Sequence, residues 1–314
     1  MLTIMLEYVM AKWNLRYFLI ACVIVIAIET IVILLRTKPF MMFPGNPSSI
    51  LQKGWEGDLM LPSCRYTNED RKASEVFLSC YVFIAVIVRP DGFENRNLVR
   101  DTWYKYFTND HPLTELRFFL GTYGLSDSLL QDLHHEQKRH NDLVMLEGLL
   151  DSYHNLTRKT VMVMKWTSQH VNFTYYLKCD DDSYPFLDPI IGELQERTLT
   201  TRLYWGYFFI NLRVRGHGKN QDPLWFLTET YTPFAIGGSY ILSRDLIKVI
   251  AGFEQCLHLY PNEDTSIGLW LAPFQLERKH DYRFCRNSQP CPHNTLIFLG
   301  RSRKEMLSLF HFSH

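Results

Sequence analysis

The sequence has no excess of either charge: Lys plus Arg and Asp plus Glu both number 33, so the formal net charge is zero. Nucleic-acid binding draws on a basic excess, so this balance argues against such a partner. An anionic ligand would likewise have to be met by local charge or by a metal rather than by long-range steering. No Cys-x-x-Cys pair occurs, which argues against a structural zinc site. No internal repeat or low-complexity tract is present, so a solenoid or a disordered tail is not indicated.

What is present is a 314-residue chain, 46% hydrophobic and 14% aromatic, enough for one large core or two small ones. Residues 15–35 form a nearly continuous apolar run with Glu29 as its one acidic interruption. At about 1.5 Å per residue this run can cross a hydrocarbon core of about 30 Å. No small-x-small cleavage site follows it, so an uncleaved signal anchor is expected, with residues 1–14 as a cytoplasmic tail. Lys12 and Arg16 before the span balance Arg36 and Lys38 after it, so charge does not orient it. Two sequons, at Asn155 and Asn172, place the following residues in the lumen if either is used. Residues 36–75 are rich in proline, glycine and serine and read as a stem. Cys22 falls in the span. Of the other six cysteines, Cys285 and Cys291 close a short loop and are the easiest pair to imagine, whereas Cys179, at a strand end, reads as a free packed thiol.

From residue 76 onward, strands and helices alternate. Tyr81–Val88 is a continuous β-branched and aromatic run of the kind covered on both faces of a sheet. Helical spacing follows over 95–103, a strand over 116–120, a polar helix over 127–139, a short strand over 143–146 and a helix over 156–170. That order predicts βαβ units and an α/β fold with a mostly parallel central sheet flanked by helices. A helix over 185–197, an aromatic strand over 203–210 and a basic loop over 213–222 come next.

Three segments carry candidate chemistry. The strand Tyr175–Leu177 runs into Asp180, Asp181 and Asp182, and adjacent carboxylates at a strand end call for a counter-charge such as a hard divalent cation. A solvated acidic turn is the plain alternative. Gly237–Gly238, between apolar runs, allows a backbone to approach a ligand closely, or simply marks a bulge. Asp264 follows a Pro-Asn turn before an apolar run, where an aspartate either caps a helix or acts as a general base at its start.

Six ordered blocks from Tyr81 to Leu309 resemble the β-1,3-glycosyltransferases of the glycosyltransferase-31 type. They are Arg96-x-x-x-Arg100-x-Thr102-Trp103, Phe119-Leu120-Gly121, Asp151-Ser152-Tyr153-x-Asn155-Leu156-Thr157-x-Lys159-Thr160, Lys178-x-Asp180-Asp181-Asp182, the Pro233–Tyr240 segment, and Glu263-Asp264-x-x-x-Gly268. The stretches Leu203–Phe208 and Gly268–Pro273 look most like the member that builds the glycosaminoglycan linkage region. The resemblance implies a GT-A fold, a type II Golgi membrane protein, UDP-galactose as donor, Mn²⁺ as cofactor and inversion at the anomeric carbon. The implied acceptor is galactosyl-β-1,4-xylose on a proteoglycan core protein.

Carried over by position, Asp182 would be the main metal ligand and Asp180 would share the metal shell. Asp180, Asp181, Arg96, Arg100, Gly237 and Gly238 would bind the donor. Asp264 would be the base, and Trp205 and Glu263 would meet the acceptor. Two positions depart from the family pattern: Thr265 replaces the usual valine, and Leu299 stands where relatives carry a late metal histidine. His293 and His311 flank that position out of register, so a loop shift would bring one in or water would take its place. Transfer of N-acetylglucosamine or galactose to glycoproteins or glycolipids is the alternative within the class. A non-catalytic Golgi partner protein is the alternative outside it.

Overall fold

The computed structural model describes residues 78–314 except 108–112, 217, 219, 220, 223, 224, 226, 287–289 and 314. The expected cytoplasmic tail, membrane span and stem, with Cys22 and Cys64, lie outside the described residues. Among the described residues no helix is long and apolar enough to cross a membrane.

Taken in chain order, the strands are β1 (Leu78–Ser79), β2 (Val82–Ile87), β3 (Thr114–Gly121), β4 (Leu143–Leu146), β5 (Val171–Asn172) and β6 (Tyr175–Asp180), followed by β7 (Tyr184–Pro185), β8 (Leu203–Phe209), β9 (Phe234–Ser243), β10 (Glu277–His280), β11 (Phe284–Arg286) and β12 (Ile297–Leu299). The helices are α1 (Phe93–Asp101), α2 (Asp127–His140), α3 (Leu156–His170), α4 (Leu187–Gln195), α5 (Arg244–Gly252), α6 (Glu263–Trp270) and α7 (Arg303–Ser313).

A seven-stranded sheet in the order β10-β8-β9-β6-β2-β3-β4 organises the domain. Strands β6, β2, β3 and β4 pair in parallel, as do β8 and β10, while β9 runs antiparallel to both its neighbours. The sheet is therefore mostly parallel, as the alternation of strands and helices predicts. The antiparallel β9 sets its Gly237–Gly238 end beside the C-terminal end of β6. Every residue of β2 is buried, because helices cover both faces. On one face Leu98 and Val99 of α1, Leu133 of α2 and Ile190 and Leu194 of α4 join Trp205, Ile297 and Leu299. On the other, Val163 and Met164 of α3, Ile247 of α5 and Ile267 of α6 pack on Phe83, Tyr176 and Tyr240. Phe119 and Trp166 meet edge to face at 5.4 Å in that second layer, worth about 1 kcal/mol beyond burial.

Local chemistry sets the ends of elements. Ser126 accepts from the Leu129 amide at the start of α2, and Asn141 closes it in the left-handed region at φ 53°, donating its amide to the Gln137 carbonyl. The expected 185–197 helix is shorter, Leu187–Gln195, because Tyr184 and Pro185 are drawn into a small sheet with β12 and β11. That three-stranded sheet carries no clear period in the sequence. A Cys285–Cys291 disulfide ties the loop between β11 and β12, Cys256 is disulfide-bonded, and Cys179 is a free, buried thiol as its position suggests.

Candidate active site

The three aspartates sit at the C-terminal edge of the parallel strands. Asp180 ends β6 opposite Ile87 of β2, and the next two residues form a turn whose Ser183 amide donates to the Asp180 carbonyl at 3.1 Å. Neighbours fix this turn from several sides. The Arg301 amide donates to the Asp182 carbonyl at 2.7 Å, Ser183 Oγ donates to the Gly238 carbonyl at 3.0 Å, and Asn95 Nδ2 donates to Asp181 Oδ2 at 2.9 Å. Lys178, one β-strand period before Asp180, is fully buried. Its Nζ donates to Asp180 Oδ1 at 2.6 Å and to the carbonyl of Gly237.

Across β9, α6 brings the second acidic pair to the same place. A Cβ on Gly237 would lie 2.8 Å from Glu263 Oε2 and 3.4 Å from Asp264 Cβ, so the helix start packs closely on this glycine. The Gly237 amide donates to Asp264 Oδ2 at 3.3 Å, and the Thr265 amide to Asp264 Oδ1 at 2.9 Å. Asp264 thus makes a helix-start contact through its own neighbour, yet its carboxylate also faces the β9 glycines. Glu263 points inward and accepts from Tyr240 Oη at 2.6 Å. The structure therefore joins Asp180, Asp181, Asp182, Gly237, Gly238, Glu263 and Asp264, which are distant along the chain, at one sheet edge.

The electrostatics follow from crowding five carboxyls, Asp180, Asp181, Asp182, Glu263 and Asp264, near the ammonium groups of Lys178 and Lys159. Desolvation first, then Asp180 and Asp181, push Asp182 up to about 6. Burial also raises Asp181 and Asp264, against the hydrogen bonds that hold their ionised forms. Glu263, fully buried beside Asp264, is pushed up to about 7 by desolvation despite Lys178. Burial pulls Lys178 down, but the charges of Asp180 and Glu263 outweigh it and the net shift is upward. The excess negative charge and the all-oxygen donor set fit a hard divalent cation bound through one or two carboxylates plus substrate phosphate oxygens. Among the described residues no group of three or more His, Cys, Asp or Glu is placed to hold a metal ion.

Other expected residues have surroundings that bear on the roles expected of them. Trp205 is wholly buried, with Nε1 on Asp281 Oδ2 at 2.9 Å and Lys279 Nζ 3.8 Å over its ring. An indole sealed inside the sheet cannot meet an acceptor, which corrects that expectation. Glu263 is corrected in the same way: its carboxyl lies behind Gly237, where it supports the site and does not face an open cleft. Arg96 and Arg100 are engaged in an ion cluster. Arg96 grips Glu136 at 2.8 and 2.5 Å and the carbonyls of Arg89 and Pro90, and Arg100 pairs with Asp142 and Glu136 at 2.8 Å. Arg96 holds the loop between β2 and α1 and Arg100 ties α1 to α2, so their geometry is that of positioning residues. His293 is exposed in a turn, whereas Leu299 packs at the site, 3.4 Å from where a Gly238 Cβ would be.

Asn172 is exposed on β5 and accepts from Arg244 at 2.6 Å. Asn155 donates to the Leu150 carbonyl at 2.9 Å, and Thr157 of its sequon is buried on the Tyr260 carbonyl at 2.7 Å. A cavity of about 580 Å³ lined by Met145, Arg158, Trp166 and Glu254 contains none of the site residues.

Spacing alone assigned no role to two sets of contacts. Asp151 accepts from the Gly121 amide at 2.8 Å and from Lys159 Nζ at 2.6 Å, and Lys159 also donates to the Val88 carbonyl at 2.6 Å. This clasp joins the ends of β2 and β3 to the start of α3. The second is Lys178 with Asp180 and Gly237. In both cases the available signal was a lysine within an otherwise apolar helix or strand face, since a buried ammonium must have a partner.

Comparisons with known proteins show the family. The family model described as Galactosyltransferase matches residues 94–282. The chain is 38% identical over 232 residues to Beta-1,3-galactosyltransferase 6 of Mus musculus, covering 72% of this chain and 71% of that protein. It is 37% identical over 147 residues to UDP-GalNAc:beta-1,3-N-acetylgalactosaminyltransferase 2 of Danio rerio, covering 46% of this chain and 29% of that one. It is 28% identical over 243 residues to Hydroxyproline O-galactosyltransferase GALT5 of Arabidopsis thaliana, covering 73% of this chain and 35% of that one. Two acidic segments converging on one strand edge, within a match that spans most of the described domain, identify the chain as a member of the galactosyltransferase family, on its β-1,3 branch.

Proposed function

We propose that the chain is an inverting β-1,3-galactosyltransferase of GT-A type that moves galactose from UDP-galactose to the 3-hydroxyl of galactosyl-β-1,4-xylose on a proteoglycan core protein. The observation that carries this reading is the approach of Asp264 to the Gly237–Gly238 backbone, on the strand that borders Asp180–Asp182. The similarity to the mouse β-1,3-galactosyltransferase supports the choice of linkage and sugar.

Asp264 takes the proton of the attacking hydroxyl, held for that task by the Gly237 and Thr265 amides. Burial makes it a stronger base than a solvent-exposed aspartate, while the two amide hydrogen bonds favour its ionised form. Asp182, with Asp180, would hold Mn²⁺, and the chemistry that ion supplies when bound is neutralisation of the charge on departing UDP. Asp181, oriented by Asn95, and the Gly237–Gly238 backbone line the donor side. In this reading the protein is a Golgi single-pass type II membrane protein anchored by residues 15–35, with its glycan on Asn172 in preference to Asn155.

With Mn²⁺ present, the full-length chain should transfer galactose from UDP-galactose to a galactosyl-xyloside. Asp264→Asn should lower that rate by at least about a hundredfold while UDP still binds. No transfer from a folded protein would favour the non-catalytic Golgi partner, the reading that Leu299 at the metal-histidine position supports. Transfer only to glycoprotein or glycolipid acceptors would favour the other branch of the class.

A further inference from the structure

We propose that Lys178 is a positioning residue that cross-links the aspartate turn to the β9 glycines and, through Gly237, holds Asp264 in place. This inference rests on the reading of Asp264 and Asp180–Asp182 as the two sides of one transferase site.

Lys178 lies in the middle of a buried strand, 1% exposed, opposite Ala85 on β2 and Tyr240 on β9. A core position of this kind is filled at less cost by an apolar side chain, since a buried ion pair adds little to stability over a well-packed hydrophobe. The contacts of the ammonium are what distinguish it. One is Asp180 Oδ1 at 2.6 Å, and the other is the Gly237 carbonyl across the strand pair. Gly237 in turn donates its amide to Asp264 Oδ2 at 3.3 Å. Three groups from β6, β9 and α6 are thereby linked in one chain of contacts. A Cβ at its middle would lie 2.8 Å from Glu263 Oε2, so the Glu263 carboxyl would have to shift to admit one. The link has two consequences. Asp180 is anchored to Lys178 through Oδ1 alone, and Asp182 beside it is exposed. The β9 backbone is held against α6, so the base keeps its angle to the glycines.

The test uses the full-length chain and the variants Lys178→Met, Lys178→Gln, Asp180→Asn and Lys178→Met/Asp180→Asn. Hydrogen–deuterium exchange needs no ligand and reads the link directly. Lys178→Met should speed exchange of the 236–239 amides by roughly tenfold or more while the β3 amides keep their protection. Steady-state transfer should show kcat lowered by roughly tenfold, the scale on which supporting partners act. The double variant should be no worse than the poorer single one, because both changes cut the same link. Lys178→Gln, which retains a donor, should recover part of both effects. Unchanged exchange at 236–239, additive losses in the double variant, or failure of both Lys178 variants to fold would each overturn the proposal; the last would make Lys178 a stability residue. Absence of transfer by the unaltered chain would instead overturn the function reading, with the exchange measurement still deciding the role of Lys178.

Discussion

In the proposed reading Leu299 stands where the family pattern has a metal histidine, and its surroundings bear on that reading. Its side chain packs on Gly238, and two residues later the Arg301 amide holds the Asp182 carbonyl. The segment therefore lies beside the aspartate turn, while His293 is exposed in a turn and His311 lies on α7. Leu299→His should tighten Mn²⁺ binding by roughly tenfold, measured by electron paramagnetic resonance titration of the ion on the full chain. Unchanged affinity would show that a side chain at 299 does not reach the ion. At the same scale, Asp264 depends on two backbone amides and Asp181 on Asn95, contacts that residue identity alone could not reveal.

At the scale of elements, the site is the meeting of β6, β9 and α6. Helix α6 lies against β9 so closely that a Cβ on Gly268 would come within 2.6 Å of Phe234 Cβ and 2.8 Å of the Pro233 carbonyl. Gly268→Ala should therefore push α6 outward at a cost of about 1–3 kcal/mol, the usual range for overpacking. Because Asp264 lies in the first turn of that helix, transfer should fall by more than donor binding does. A thermal melt beside kcat and UDP affinity checks both parts, and an unchanged kcat would mean the helix start is held independently of its packing. The parallel β2–β6 core was legible from its unbroken apolar runs. The antiparallel placement of β9 was not, since a buried strand reads alike in either direction.

For the molecule as a whole, the raised pKa of Glu263 ties stability to pH. The ordinary glutamate value is 4.5, and in the folded protein Glu263 is pushed up to about 7. Between those values the folded state holds a proton that the unfolded chain has released, so this contribution is full below 4.5 and is lost as pH rises through 7. Its size is on the order of 3 kcal/mol or less. Denaturant melts from pH 4 to 8 should thus show a decline in the unaltered chain that is shallower in Glu263→Gln, the remainder coming from the raised aspartates, Asp182 first among them. Parallel curves would mean that Glu263 titrates as an ordinary carboxylate.

The amino-acid sequence by itself determined the α/β character, the mostly parallel sheet and the identity of both acidic segments. Those features are local: a strand's apolar period and a run of adjacent carboxylates exist before any folding. Tertiary structure decided which aromatic and charged residues stay open to solvent. Trp205 has the composition of a sugar-binding residue, but the sheet encloses it, while Arg96 and Arg100 find Glu136 on α2 and Asp142 just after it. The same holds for Lys178 and Gly237. Their contact joins positions far apart along the chain, and only the strand pairing that closes the sheet brings the ammonium within bonding distance of that carbonyl and of the Asp180 carboxylate together.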